Sequence, residues 1–311
     1  MMKRVLCVYF SQSGQLGDCM DSLTRPLKDL DGVEVETLVV SPQKAYPYPW
    51  TFFRFFDVFP EAFLEIPPAM ETPAHELNPG DYDLIILGYH VWFLKLSLPM
   101  LGFLNSRDAR VLAGTPVVMV NACRNMWHRA WFQVRNLVQG LGGRIIGHVV
   151  LIDQGPASAT FLTTPLWLFT GRKKVIPSLP AAGVSSGDID SLQTVGQRLG
   201  VALEKGELET CRLVKLSDEV PEVSGKYMLP EKFGLLLFWP WATLARLAGR
   251  LWYGLRYPVE LLFFLSLFFS VLVMVPLCLV VGLILRLFFQ GRVGAYLQSL
   301  HNPFAAGKGG A

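Results

Sequence analysis

The sequence predicts an α/β fold, an open parallel sheet wrapped by helices, followed by a C-terminal helical segment that associates with a membrane. Three observations carry that expectation. Short β-rich runs alternate with helical stretches over residues 1–205. The first run enters a helix through a Ser/Gly turn, Ser11-Gln12-Ser13-Gly14-Gln15. An uncharged apolar run, residues 261–285, lies near the end of the chain.

Taken in order, residues 4–10 are almost continuously apolar, as a strand buried on both faces should be. Residues 16–30 have helical spacing, and residues 33–40 form a second strand. Residues 84–88, 116–121 and 144–152 supply three more, with helices expected at 96–105 and 126–140. Strands alternating with helices imply right-handed crossovers, and ligands in such sheets bind beyond the carboxyl ends of the strands. Residues 41–79 and 161–186 interrupt the rhythm and are too long for ordinary connections. They hold Tyr46-Pro47-Tyr48-Pro49-Trp50-Thr51-Phe52-Phe53-Arg54-Phe55-Phe56 and Pro165-Leu166-Trp167-Leu168-Phe169. Such insertions either pack over a sheet edge or form a greasy substrate vestibule that touches substrate or bilayer. Residues 188–204 place Ile189, Leu192, Val195, Leu199 and Leu203 on one face of a final amphipathic helix.

A charged linker, residues 206–230, contains Pro221 and Pro230. Residues 231–257 read as an interfacial amphipathic helix whose Arg246, Arg250 and Arg256 snorkel beside the membrane. As a helix, residues 261–285 extend roughly 37 Å, against about 30 Å of hydrocarbon. A single span puts these arginines on the cytoplasmic side and the tail, residues 286–311, outside. A re-entrant helix turning near Pro276 leaves both ends inside. Either way the protein is expected at the cytoplasmic face of the inner membrane.

Composition agrees. Apolar residues make up 51% of the 311 and charged residues only 17%. From Glu231 onward seven basic residues face two acids, a surplus of five, which leaves residues 1–230 at −2. A slightly acidic globular part with a basic apolar tail argues for membrane lipid as a partner and against nucleic acid. The five cysteines (Cys7, Cys19, Cys123, Cys211, Cys278) form no C-x-x-C pair, which implies reduced thiols and no metal site. Lys3-Arg4 leads directly into strand-like sequence, so no signal peptide is expected.

Chemistry is expected in three loops at strand carboxyl ends. In the first, the backbone amides of Gln12 and Gln15, the hydroxyls of Ser11 and Ser13, and Gly14 suit a phosphate at a helix N-terminus. The second runs Gly88-Tyr89-His90-Val91-Trp92 and on to Ser97 and Pro99. The third is Asn121-Ala122-Cys123-Arg124-Asn125-Met126-Trp127. Trp92 and Trp127 are candidates for stacking on a flat ring, and Arg124 for stabilising negative charge. His90, His128 and Tyr89 are the candidate catalytic proton donors and acceptors.

Together these loops resemble the flavodoxin-like superfamily of FMN proteins, over about residues 3–205. The resemblance implies a flavodoxin-like five-stranded parallel sheet of order 2-1-3-4-5 with FMN as cofactor. It places Ser11, Gln12, Ser13, Gly14 and Gln15 at the phosphate, with Gly88, Val91, Trp92, Asn121, Ala122, Cys123, Arg124 and Trp127 around the ring. Two departures stand out: the hydroxyl residue that usually closes the phosphate loop is replaced around Leu16-Gly17, and His90 stands where related reductases often have proline. Within the superfamily, Val8-Tyr9-Phe10-Ser11-Gln12-Ser13-Gly14-Gln15, Pro49-Trp50-Thr51-Phe52-Phe53-Arg54-Phe55-Phe56 and the apolar C-terminus resemble the dialkylresorcinol condensing enzyme group of dialkylresorcinol and flexirubin-type pigment pathways. That resemblance implies aromatisation of a dialkylcyclohexane-1,3-dione, an alkylated hydrophobic substrate, beside a partner ketosynthase. A homodimer is also compatible with it. Two alternatives stay open: a membrane-bound NAD(P)H:quinone reductase with the same FMN site, and a non-enzymatic membrane scaffold whose flavin site has decayed.

Overall fold

The computed structural model describes residues 2–208 and 228–288 and divides the chain into two compact units, Met1–Val220 and Pro221–Ala311. Most of the expected linker and tail, with Cys211 and His301, lies outside the described residues.

In the first unit the apolar runs form five parallel strands: β1 (Lys3–Tyr9), β2 (Val33–Val39), β3 (Leu84–Tyr89), β6 (Pro116–Cys123) and β7 (Arg144–Ile152). A two-stranded hairpin, β4 (Val91–Trp92) and β5 (Lys95–Leu96), intervenes after β3. The five-stranded order is β2-β1-β3-β6-β7. That is the flavodoxin-like 2-1-3-4-5 arrangement, whose ligand crevice lies where β1 and β3 part.

Helices cover both faces: α1 (Gln15–Lys28), α4 (Leu98–Leu104), α5 (His128–Gly140) and α7 (Ser186–Lys205). Alternate strand residues point to opposite faces, so Val5, Cys7, Ile86 and Val118 meet Leu16, Met20 and Leu23 of α1 and Leu192, Val195 and Leu199 of α7. The α1–α7 approach is very close. A Cβ on Gly196 would stand 2.1 Å from the Leu23 carbonyl oxygen, so only glycine fits there. The buried thiols Cys7 and Cys19 are pushed up to about 12 by desolvation and stay protonated.

The two insertions are more ordered than loops. The first contains α2 (Phe52–Asp57) and α3 (Phe59–Phe63), and the second contains α6 (Ala157–Thr170). Helix α6 escapes periodicity because ASATFLTTPLWLFT carries no charge on any side to mark a solvent face.

The second unit is a helical hairpin of α8 (Met228–Leu251) and α9 (Arg256–Phe288). Residues 231–257 therefore form no continuous interfacial helix. The chain extends at Trp252 (φ −159°), makes a single short turn over Tyr253–Leu255 and reverses. Pro276 stays inside α9 and does not turn the chain.

Candidate functional site

The first loop leaves β1 at Tyr9 and enters α1 at Gly14, whose φ of 88° is left-handed. A Cβ at Gly14 would meet nothing within 4 Å, so glycine is required there by conformation and not by space. Ser11 closes the loop from inside: its Oγ accepts the Gly17 N–H at 3.2 Å. This supplies a closing hydroxyl from the start of the loop where residues 16 and 17 offer none. Ser13 makes no side-chain hydrogen bond to another described residue. Gln12 Nε2 donates to the Pro47 carbonyl at 2.8 Å and ties the loop to the first aromatic insertion.

Gln15 has a role that its backbone does not reveal. Its buried amide pairs with Val184 in both directions, Nε2 donating to the carbonyl at 3.2 Å and Oε1 accepting the N–H at 3.1 Å. Asp153, at the end of β7, accepts from Gly155 N at 2.9 Å and Gly183 N at 2.7 Å. Together the two side chains pin the segment around α6 to the mouth of the sheet. Sequence reasoning missed Asp153, whose signal was an acid directly after the last strand and before a Gly-Pro turn.

The second loop is strained. Between β4 and β5 the two turn residues are Phe93 (φ 48°) and Leu94 (φ 67°), where a two-residue hairpin normally takes Asn-Gly. Each non-glycine residue held this way costs about 1–3 kcal/mol, so neighbours must enforce it. Phe93 packs 5.1 Å from both Phe55 and Phe59. Lys95, 7% exposed, is paired with Glu65, itself at φ 58°. Leu96 N donates to Gln133 Oε1 at 2.9 Å, and Ser97 N to the His90 carbonyl at 3.0 Å. Trp92 is held nearly at right angles by Phe10, Tyr46 and Trp50, at 6.1, 5.2 and 5.9 Å. Gly88 lies on the opposite face, where a Cβ would press within 3.0 Å of Met20 and Tyr9.

The third loop follows β6 and passes Met126 at φ 52°. The Arg124 guanidinium lies 5.3 Å over the Phe161 ring. Ala122 and Cys123 are half-buried, but Asn121 is fully buried. Trp127 is 5% exposed and stacked 4.5 Å from His128, so it caps the core under α5 and offers no free ring face to the crevice.

The structure separates the three candidate proton carriers. Tyr89 is wholly buried, and its hydroxyl lies 2.9 Å from His148 Nε2. Burial pushes this phenol well above its usual value, so it stays protonated and is committed to the histidine. His148 is stacked 3.8 Å from Trp131 and lowered to about 3 by desolvation. His90 is lowered to about 4 for the same reason. Its imidazole is therefore neutral near pH 7. His128 opens α5 and is buried.

Buried polar atoms without a well-formed hydrogen bond gather at this end of the sheet. They include His90 Nδ1, Ser97 Oγ and Gln133 Nε2. Buried polar groups are almost always satisfied, so such a cluster marks a place where a further partner belongs. The open left-handed Gly14, the hydroxyl of Ser13, the helix N-terminus and the aromatic wall at Trp92 make a donor set that fits a phosphorylated aromatic cofactor.

No family model and no curated protein matches the chain. Solved structures do. A flavoprotein of Lactobacillus acidophilus NCFM in complex with FMN is 18% identical, covers 48% of this chain and 93% of its own, and has a TM-score of 0.37. An archaeal flavodoxin is 10% identical over 65% of this chain and 99% of its own, with a TM-score of 0.35. An oxidoreductase of Corynebacterium diphtheriae is 10% identical over 66% and 98%, with a TM-score of 0.34.

Proposed function

We propose that the chain is a membrane-tethered, FMN-dependent oxidoreductase that dehydrogenates a hydrophobic ring substrate. The observation that carries the reading is the meeting of three specialised loops at the β1/β3 switch point, with unpartnered buried polar groups beneath them. The first loop holds a phosphate through its backbone amides and the Ser13 hydroxyl, helped by the positive end of α1. Phe10 and Trp92 wall the ring and exclude water. FMN, when bound, would supply the two-electron acceptor for the hydride that the substrate loses.

The finer assignment is aromatisation of a dialkylcyclohexane-1,3-dione to a dialkylresorcinol. The ring loses one hydride and one proton, and tautomerisation completes the dihydroxyarene. The resemblance in sequence motivates this choice, and the aromatic insertions support a greasy substrate. Phe52 and Phe55 lie 6.3 and 5.6 Å from Phe169, so the two insertions build one apolar wall. Arg124 offers positive charge to a developing enolate. Desolvation makes His90 a weak base and Tyr89 is committed to His148, so the departing proton is assigned to His128.

The test is the absorbance spectrum of detergent-purified protein, then anaerobic mixing with a 2,5-dialkylcyclohexane-1,3-dione. Bleaching of bound yellow flavin with appearance of the resorcinol is expected. Protein that stays colourless and takes up no added FMN overturns the flavin reading and favours the scaffold. Flavin that ignores the dione yet passes electrons from NAD(P)H to quinones overturns the aromatase assignment alone.

A further inference from the structure

We infer that α8 and α9 enter the bilayer together as one antiparallel hairpin crossing it twice, so that residues 228 and 288 emerge on the same side. The pairing comes first. The Phe238 and Phe263 rings lie 5.2 Å apart, and a Cβ on Gly282 would touch Leu229 at 3.4 Å. Near the turn, a Cβ on Gly249 would stand 2.6 Å from Arg256 Cδ, so the arginine stem occupies the notch that glycine leaves. The inner face of α8 runs from Phe238 to Ala242, Ala245 and Gly249, the last three being small residues at helical spacing that let two backbones approach without help from water. Opposite them α9 buries Arg256, Glu260, Phe263 and Ser270.

The outer surface needs a nonaqueous neighbour. Leu236 and Leu251 are 77% and 83% exposed, and Trp239, Phe269, Leu272 and Leu283 also face outward. Only 6% of the most apolar stretch of α9 is buried. So many large apolar side chains turned outward on both helices are not expected to face water.

Charge placement decides between a hairpin that crosses and one that lies flat. No charged residue falls within 233–245 of α8 or 261–285 of α9. Glu231 and Lys232 mark the open end, while Arg246, Arg250, Arg256 and Glu260 gather near the turn. Arg256 Nε donates to Glu260 Oε1 at 3.2 Å, so the most buried of these cations is paired. Trp252, Tyr253 and Tyr257 are exposed around the turn and form the aromatic collar typical of a membrane–water interface. A helix lying flat has no reason to confine charge to its two ends. The uncharged stretch of α8, residues 233–245, is roughly 20 Å long against about 30 Å of hydrocarbon, so α8 crosses only with Lys232 and Arg246 snorkelling to the two interfaces, while the apolar stretch of α9 is long enough by itself.

This inference deepens the tethering part of the proposed function and uses none of its flavin chemistry. The experiment labels full-length protein in sealed vesicles of known orientation with a membrane-impermeant maleimide, and peptide mapping reads each site. Variants Lys232→Cys, Gly310→Cys and Arg250→Cys are compared with the unsubstituted chain. The expected result is labelling of positions 232 and 310 from one face and of 250 only from the other. Labelling of all three from one face overturns crossing. Positions 232 and 310 on opposite faces means a single span and overturns pairing, and release of the protein by alkaline carbonate overturns insertion. Polarised infrared spectra of the unsubstituted protein in supported bilayers give an independent check, with both helices expected near the membrane normal. Flavin-free protein with the expected labelling breaks the oxidoreductase reading and leaves the hairpin standing.

Discussion

The two ends of the five-stranded sheet are built on opposite plans. At the amino ends of the strands, charge is neutralised pair by pair. Lys3 bonds Asp83 at 2.8 Å, Arg4 N donates to the same carboxylate at 2.9 Å, and the Tyr82 hydroxyl donates to Glu36 at 2.6 Å. A cavity of about 470 Å³ opens there, lined in part by Lys3, Tyr82, Asp83, Gly114 and Arg144. At the carboxyl ends, Phe93, Leu94 and Met126 hold positive φ, and His90 and Ser97 bury polar atoms unsatisfied. A cavity is thus at the satisfied end and the strain at the other. Strain and unpaired polarity persist only where the surrounding packing or a ligand overrides them, so they locate the site better than volume does.

The sharpest way to break this contrast is the buried Tyr89–His148 pair. Either Tyr89→Phe or His148→Phe leaves one polar group stranded and should cost about 2 kcal/mol in urea unfolding. The double variant should recover most of that, because a phenyl ring at position 148 can still stack on Trp131 and nothing polar remains unpaired. A double variant that costs the sum of the two singles would show the pair is not coupled.

Acid probes the same end. His148 and His90 titrate near 3 and 4 when folded and near 6.5 when unfolded, so below 6.5 the unfolded chain binds more protons. Their contribution is complete above about pH 6.5 and is lost as pH falls toward 4 and 3, on the order of a few kcal/mol between them. Denaturant midpoints measured from pH 7.5 to 4 should fall for the wild type and fall less for His148→Phe.

A smaller effect of opposite sign is expected at the strained turn. Leu94→Gly removes the penalty of a left-handed leucine and should stabilise the fold by roughly 1 kcal/mol. It should also loosen the loop that carries Trp92 and weaken binding of added FMN, read by quenching of flavin fluorescence. Tighter FMN binding would show that the strain does not serve the site. The smallest effect belongs to the satisfied end. Burial alone would raise the Asp83 carboxyl, but the Lys3 and Arg4 hydrogen bonds outweigh it and hold the group below the usual carboxylate range; it is also partly exposed. Asp83→Asn should therefore cost under about 1 kcal/mol, lower stability mainly above pH 4, and leave FMN titration unchanged.

Much of this was legible in order along the chain. The strands at 4–10 and 84–88 were visible because an interior strand must be apolar throughout, and the Ser11–Gly14 turn because a left-handed residue before a helix calls for glycine. The three loops followed, since alternating strands and helices put every strand's carboxyl end on one rim. Helix α6 was hidden because uniform apolarity carries no period.

The sequence by itself determined the parallel sheet, the position of its ligand-binding rim and the presence of a lipid-compatible segment, because each follows from local periodicity, turn chemistry or length. Only the tertiary structure decided that Gln15 clasps Val184, that His148 silences Tyr89, that Phe93 and Leu94 are forced left-handed, and that α8 pairs with α9. Those features are contacts between residues far apart in the chain, in which close packing overrides what each residue prefers alone.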